Sequence, residues 1–328
     1  MNQVKLTTEE IVQLRPNVVR PKPGPQPLSV FCEKEAAGNG VYAADCMTVL
    51  LRGSECAFRC LMCDLWKSTH LGRTPEGAIP AQIRSALANQ QRPVDATEAS
   101  WIKLYNASNF FAPVNVPSAD LVEIADLVSS FDRVIVENHP RLVSERVKQF
   151  SDRLDGQLEV AMGLETVHPE VLETLNKGMD LRDYKNACDR LADWGIDRRV
   201  FVLLRPPGMS ESEGLSWCRQ SVEFAFEKCG ARHVSVIPVR AGNGAIEHLQ
   251  QIGAFEPPSV RSAETILEEY LHDPRGIVTL DTWEWSHLRD QCARCENSRR
   301  ERIDAMNLVR SQIALPPMSC DCVRGTEG

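Results

Sequence analysis

The sequence predicts an α/β fold: a partial (β/α)6 TIM-type barrel with an N-terminal arm and a small cysteine-containing C-terminal extension. Three observations carry that prediction. From about residue 47, short apolar runs alternate with longer amphipathic stretches, the pattern of βα units on a parallel sheet. Ahead of them, residues 15–28 (RPNVVRPKPGPQPL) hold five prolines and no periodicity, which reads as an extended arm with polyproline character. Beyond about residue 255 the alternation fades into a proline-rich turn, a helix around 262–270 and a tail with two close cysteine pairs. The chain therefore divides into an arm (1–46), a barrel (47–255) and an extension (256–328).

The predicted strands are 47–51, 101–105, 133–136, 158–163, 200–204 and 233–238. Each is too short for a helix and rich in Val, Ile or Leu. Helices are expected between them at 79–88, at 118–129 with Ser118 as N-cap, at 182–194 before Gly195 and at 212–228 before Gly230. In such a sheet the loops that follow the strands carry the chemistry, because they gather at one end of the barrel.

Composition narrows the class. Hydrophobic residues make up 43% and charged residues 25%, which sets disorder aside for most of the 328 residues. The first ten residues are polar, and no window offers about 18 uninterrupted apolar residues, so a cytoplasmic protein without a membrane span is expected. A net charge of −8 speaks against a surface built generally for nucleic acid. Arg289, Arg294, Arg299, Arg300 and Arg302 could still form a local basic patch, although a solvated helix face is the simpler reading of 299–302. Twelve cysteines in such a chain point to metal ligation or catalysis rather than to a disulfide framework.

Directly after the first predicted barrel strand stands SECAFRCLMCDLW, with Cys56, Cys60 and Cys63 spaced C-x3-C-x2-C. Three thiolates on a four-iron cluster leave one iron without a protein ligand, which is the position a cofactor can take. The competing readings are three buried cysteines, or half of a zinc site. Zinc sites favour paired C-x2-C.

This triad resembles that of the radical S-adenosylmethionine superfamily, and the resemblance implies a barrel of that type. The longer string CAFRCLMCDLW resembles the radical subunit of archaeosine synthase and its bacterial relatives. So do IKLYNASNFF (102–111), VIVENHP (134–140), GLETVHPEVLETLNKGM (163–179) and LLRPPGMSESEG (203–214), and the resemblance covers most of the chain, from about residue 47 to 322. The resemblance implies catalysis by Cys56, Cys60 and Cys63 around a [4Fe–4S] cluster that reductively cleaves S-adenosylmethionine to a 5′-deoxyadenosyl radical. It also implies a reductant such as ferredoxin or flavodoxin.

Further cofactor contacts follow from the strand ends. Asn106 and Ser108 stand where superfamily members commonly carry glycines that receive the methionine amino group; a capped polar loop is the alternative. Glu137 and Glu165 end the third and fourth predicted strands and could accept from ribose hydroxyls, or form ion pairs below the mouth. Arg205, before Pro206 and Pro207, suits a bidentate grip on the cofactor's carboxylate, or a rim ion pair. His139 and His168, each before a proline, read as satisfied loop histidines. Phe110, Phe111 and Trp66 read as rim packing that keeps water from the cluster.

Cys292-x2-Cys295 and Cys320-x-Cys322 form a second thiol set, expected to hold one zinc and fasten the tail, with an auxiliary iron–sulfur cluster as the alternative. Cys32, Cys46, Cys188, Cys218 and Cys229 are isolated and fit core or interface positions. By the resemblance the substrate is a 7-deazaguanine-type nucleobase in tRNA, with a partner subunit supplying RNA contacts that this acidic chain lacks. A small molecule or peptide is the alternative substrate. A non-catalytic iron–sulfur carrier is disfavoured, because carriers normally use four cysteines per cluster.

Overall fold

The computed structural model describes residues 4–89, 100–308, 320 and 322. Eight strands form one sheet in chain order: β1 (Ser29–Ala37), β2 (Tyr42–Leu50), β3 (Ser100–Tyr105), β4 (Arg133–Glu137), β5 (Gln157–Glu165), β6 (Asp197–Leu204), β7 (His233–Pro238) and β8 (Ile277–Leu280). β1 runs antiparallel to β2, and every later neighbour is parallel. The sheet curls into a half-barrel with helices outside, as the βα alternation requires.

All six predicted strands are present, β2 and β6 beginning several residues earlier than their apolar runs suggest. Two strands lie outside the prediction. β1 carries Glu33, Lys34 and Glu35, so it does not read as a buried apolar run. β8 has only four residues.

Helices Ala78–Asn89, Leu181–Asp193 and Glu211–Glu227 fall where amphipathic periodicity placed them, and Gly195 and Gly230 follow the last two with φ of +70° and +57°. The helix expected at 118–129 is shorter, Asp120–Val128. Its N-cap is Ala119 rather than Ser118, whose hydroxyl instead accepts from Arg146 Nη1 at 2.7 Å. Real caps sit at Asp180 and Ser210, each in a reciprocal capping box.

The strands alternate faces. Val134 and Val136 of β4 pack outward against the helices, while Arg133, Ile135 and Glu137 face the lumen. The lower lumen is polar. Arg199 of β6 binds Glu159 at 2.5 Å and Glu35 of β1 at 3.1 Å, and Lys103 of β3 binds Glu33 at 2.9 Å and also Glu35. These pairs cross the barrel and close its floor, so the lumen opens at the C-terminal ends of the strands. Opposite charges that satisfy one another are what makes such burial tolerable.

A second apolar core sits over one side of that open end. Leu6 and Ile11 of the N-terminal segment, Leu61 of the cysteine loop, Val171 and Leu175, and Ile246 and Leu249 pack together there. Helix Thr8–Gln13 starts with a Thr7–Glu10 capping box, and residues 14–28 then run to β1 without regular structure. Among the described residues, no helix is long and apolar enough to cross a membrane.

Candidate active site

Cys56, Cys60 and Cys63 lie in the loop that leaves β2 at the barrel mouth, as the sequence placed them. Every part of this loop is tied down. Ser54 forms a β-bridge with His70, and Asn115 Nδ2 donates to Ser54 O at 2.9 Å. Leu61 N donates to Leu175 O at 2.9 Å, Asn243 Nδ2 to Leu61 O at 2.6 Å and Asn176 Nδ2 to Arg59 O at 2.8 Å. Glu55 accepts from Arg15 at 2.7 Å and Arg20 at 2.6 Å. Both guanidinium groups also lie over the Trp66 ring, 4.7 and 4.9 Å from its centroid.

One residue the sequence passed over fixes a thiol directly. Asn109 Nδ2 donates to Cys56 Sγ at 3.0 Å, while its Oδ1 accepts from His139 N at 2.8 Å. Burial raises the Cys56 thiol, pushes Cys60 up to about 11 and raises Cys63 further. Such thiols stay protonated at neutral pH unless a metal displaces the proton.

The expected cofactor contacts at the ends of β3 and β4 are buried and unsatisfied. Asn106 is fully buried with neither side-chain amide atom bonded, and Ser108 Oγ and Glu137 Oε2 also lack partners. Burial alone pushes the Glu137 carboxyl up to about 7, against one backbone N–H from Ala107. Unpartnered buried polar atoms cost free energy, so three residues of this kind at one mouth point to a polar ligand. Backbone strain gathers at the same end: Ala107, Glu165 and Arg205 follow or end three strands with φ of +53°, +68° and +56°.

Glu165 and Arg205 are already engaged. Glu165 pairs with Lys177 at 2.5 Å, both side chains buried. Arg205 binds Glu211 at 2.8 Å, Glu256 at 3.0 Å, Pro257 O at 2.9 Å and Met209 O at 3.3 Å. Its guanidinium makes these contacts at the β6 rim. The Glu165 or Asp180 partners expected for a rim pair are replaced by Glu211 and Glu256.

The remaining motif residues are structural. His139 caps the turn Pro140–Leu142, stacks on Phe58 at 3.7 Å and meets Lys177 O at 3.0 Å. His168 caps helix Pro169–Thr174 and lies against Trp217. Phe110 and Phe111 do not line the rim. They pack edge-on with Phe150 at 5.5 and 5.7 Å in the layer between sheet and helices.

A second thiol set lies at the start of helix Glu296–Leu308. Cys292 Sγ is 3.8 Å from Cys320 Sγ, Cys295 Sγ is 3.4 Å from Cys322 Sγ, and all four atoms lie within 4.8 Å of one another. Four thiolates around one ion with bonds of about 2.3 Å stand roughly 3.8 Å apart, so this set can share one metal. Cys56, Cys60 and Cys63 are not drawn in to that spacing. A multi-iron cluster needs its thiolates spread more widely than a single ion does.

No protein-family model matches the chain. Solved structures sharing its fold include methylornithine synthase, at TM-score 0.55 and 12% identity, covering 87% of this chain and 75% of that one. The [FeFe]-hydrogenase maturase HydG matches at TM-score 0.52 and 14% identity, over 79% of this chain and 54% of that one. Archaeal Elp3 of Methanocaldococcus infernus matches at TM-score 0.51 and 15% identity, over 70% of this chain and 60% of that one. At these identities the likeness shows the fold, an α/β half-barrel whose mouth carries the cysteine loop in this chain.

Two curated relatives narrow the likeness. Archaeosine synthase subunit beta of Methanosarcina acetivorans is 22% identical over 332 residues, spanning 95% of this chain and 92% of the relative. The protein of the same name from Thermococcus kodakarensis is 23% identical over 215 residues, 63% of this chain and 65% of that one.

Proposed function

We propose that this chain is the radical-generating subunit of a system that modifies a 7-deazaguanine-type base in tRNA. The observation that carries the reading is the near full-length likeness to the Methanosarcina archaeosine synthase subunit beta, 95% of this chain against 92% of that one. The word "subunit" in that name supports a partner, and a net charge of −8 fits a partner that supplies the RNA contacts. A cytoplasmic setting and a reductant such as ferredoxin or flavodoxin go with this reading.

In it, Cys56, Cys60 and Cys63 hold a [4Fe–4S] cluster. Asn106, Ser108, Glu137 and Glu165 receive S-adenosylmethionine, and the C-terminal quartet holds zinc. Cluster and S-adenosylmethionine together supply the 5′-deoxyadenosyl radical that takes hydrogen from the substrate. The chain's own residues do the rest. Asn109 holds the Cys56 sulfur in register with the 138–139 loop. Asn106 and Ser108 offer buried dipoles to an ammonium or a hydroxyl, and Glu137 can accept from ribose hydroxyls as an anion or donate as a neutral acid. Arg15 and Arg20, both over the Trp66 ring and both bound to Glu55, cover the loop on the arm side.

The acidic charge also supports a second reading, a small-molecule or peptide substrate. Nucleoside analysis of bulk tRNA separates the two. Deleting the gene should remove one 7-deazaguanine-type nucleoside and leave its precursor, whereas an unchanged profile rejects the RNA reading.

A further inference from the structure

We propose that Arg299 belongs to the C-terminal cysteine quartet: a buried guanidinium that donates to the Cys322 sulfur and slows release of the metal the quartet holds. The inference rests on the zinc reading of the quartet above.

The quartet is assembled from two places. Cys292 and Cys295 stand just ahead of helix Glu296–Leu308, and Cys320 and Cys322 come from beyond it. Arg299 joins the two. Its backbone N–H donates to Cys295 O at 2.9 Å, and its Nη2 lies 3.9 Å from Cys322 Sγ, within reach of a sulfur acceptor. On its other side Nη1 donates to Glu264 Oε2 at 3.0 Å, on helix Val260–Glu269. Residues 299–302 read in the sequence as a solvated helix face. Arg300 is indeed exposed, but Arg299 is only 6% exposed, because the side of the helix that carries it is turned toward Glu264 and the thiols.

Glu264 alone does not satisfy this guanidinium. Arg299 Nε is buried without a hydrogen-bond partner, and so is Glu264 Oε1, so the pair meets through a single bond. A buried charge held that loosely favours a second anion beside it. Four thiolates around one divalent ion leave two negative charges in excess, and the Cys322 sulfur is the one within reach. An N–H···S bond from a cation offsets part of that excess and holds the sulfur at the ion, which makes Arg299 a positioning residue that touches a ligand and not the metal. Glu264 competes for the same guanidinium. Removing Arg299 and removing the Glu264 charge should therefore not act alike on metal release, whereas a pair that merely joined two helices would loosen the site whichever member was lost.

The test is the rate of zinc release from the anaerobically purified full chain into an excess of a coloured zinc chelator. Metal analysis and circular dichroism confirm that each variant is loaded and folded. Arg299→Met, which keeps most of the side chain's length without its charge or donors, should release zinc about tenfold faster than wild type. Glu264→Gln should release it at the wild-type rate or more slowly. Arg299→Met that holds zinc as long as wild type, or Glu264→Gln that loses it as fast as Arg299→Met, overturns the proposal. Should Arg299→Met fail to fold, Arg299→Lys decides in its place: release faster than from both wild type and Glu264→Gln supports the donor role of the guanidinium, and any slower release overturns it. A wild-type chain carrying about eight irons and no zinc would overturn the zinc reading itself, and the proposal with it.

Discussion

Glu137 ends β4 with one carboxylate oxygen unpartnered and its ionisation held up to about 7 by burial. A carboxyl raised above its unfolded value stabilises the fold below the unfolded pKa, near 4.5, and that contribution is lost as pH rises through about 7. Ligand-free protein should therefore lose up to about 3 kcal/mol between pH 4.5 and 7 through this one group. Glu137→Gln should flatten that part of the curve in chemical denaturation. A wild-type slope unchanged in the variant would mean that Glu137 is already satisfied. At this scale the sequence was legible where chemistry repeats at fixed spacing. The triad, Asn106, Ser108 and Glu137 all lie at the mouth. It was illegible where a side chain has two partners of equal chemical merit. Arg205 turns to Glu211 and Glu256, and Glu165 turns to Lys177 from the same quoted motif. Asn109 was passed over because an asparagine in a polar loop carries no signal of a bond to sulfur.

Among the elements, the N-terminal segment matters most for the site, since it straps the cysteine loop from outside. Residues 15–20 reach it through Glu55 and Trp66, and the preceding helix rests on Leu61 through the second core. Gly244, at the start of helix Ala245–Gln251, is what lets that strap seat: its φ is +91°, and a Cβ there would stand 1.8 Å from Leu14 O. Gly244→Ala should cost about 1–3 kcal/mol and loosen the arm. Denaturant midpoints and faster proteolysis within 14–28 check this, and a variant as stable and as resistant as wild type would contradict the strap. Six strands were readable because their outward positions, packed under the helices, give short Val-, Ile- and Leu-rich runs even where the lumen face carries Lys103, Glu159 and Arg199. β1 was not, because its lumen-facing Glu33 and Glu35 are neutralised by Lys103 and Arg199 from strands far along the chain. No local pattern reveals such partners.

For the whole molecule, the sheet is open between β1 and β8, and helix Glu296–Leu308 packs against both. Asn307 closes the β8 edge as a strand would, accepting from Leu280 N at 2.8 Å and donating to Leu280 O at 2.9 Å. The cysteine quartet sits at the other end of that helix, so a metal there pins the element that spans the barrel's gap. Anaerobically purified protein should carry about one zinc besides the cluster iron, and Cys292→Ala should lose the zinc and lower the thermal midpoint. About eight irons with no zinc would reassign the quartet to a second cluster. The central claim is tested most directly at the mouth. Anaerobically reconstituted chain, given dithionite and S-adenosylmethionine, should release 5′-deoxyadenosine, while Cys60→Ala with its zinc and circular dichroism intact should release none above background. Loaded wild-type protein that makes no 5′-deoxyadenosine, or a Cys60→Ala variant that makes as much as wild type, would contradict the account.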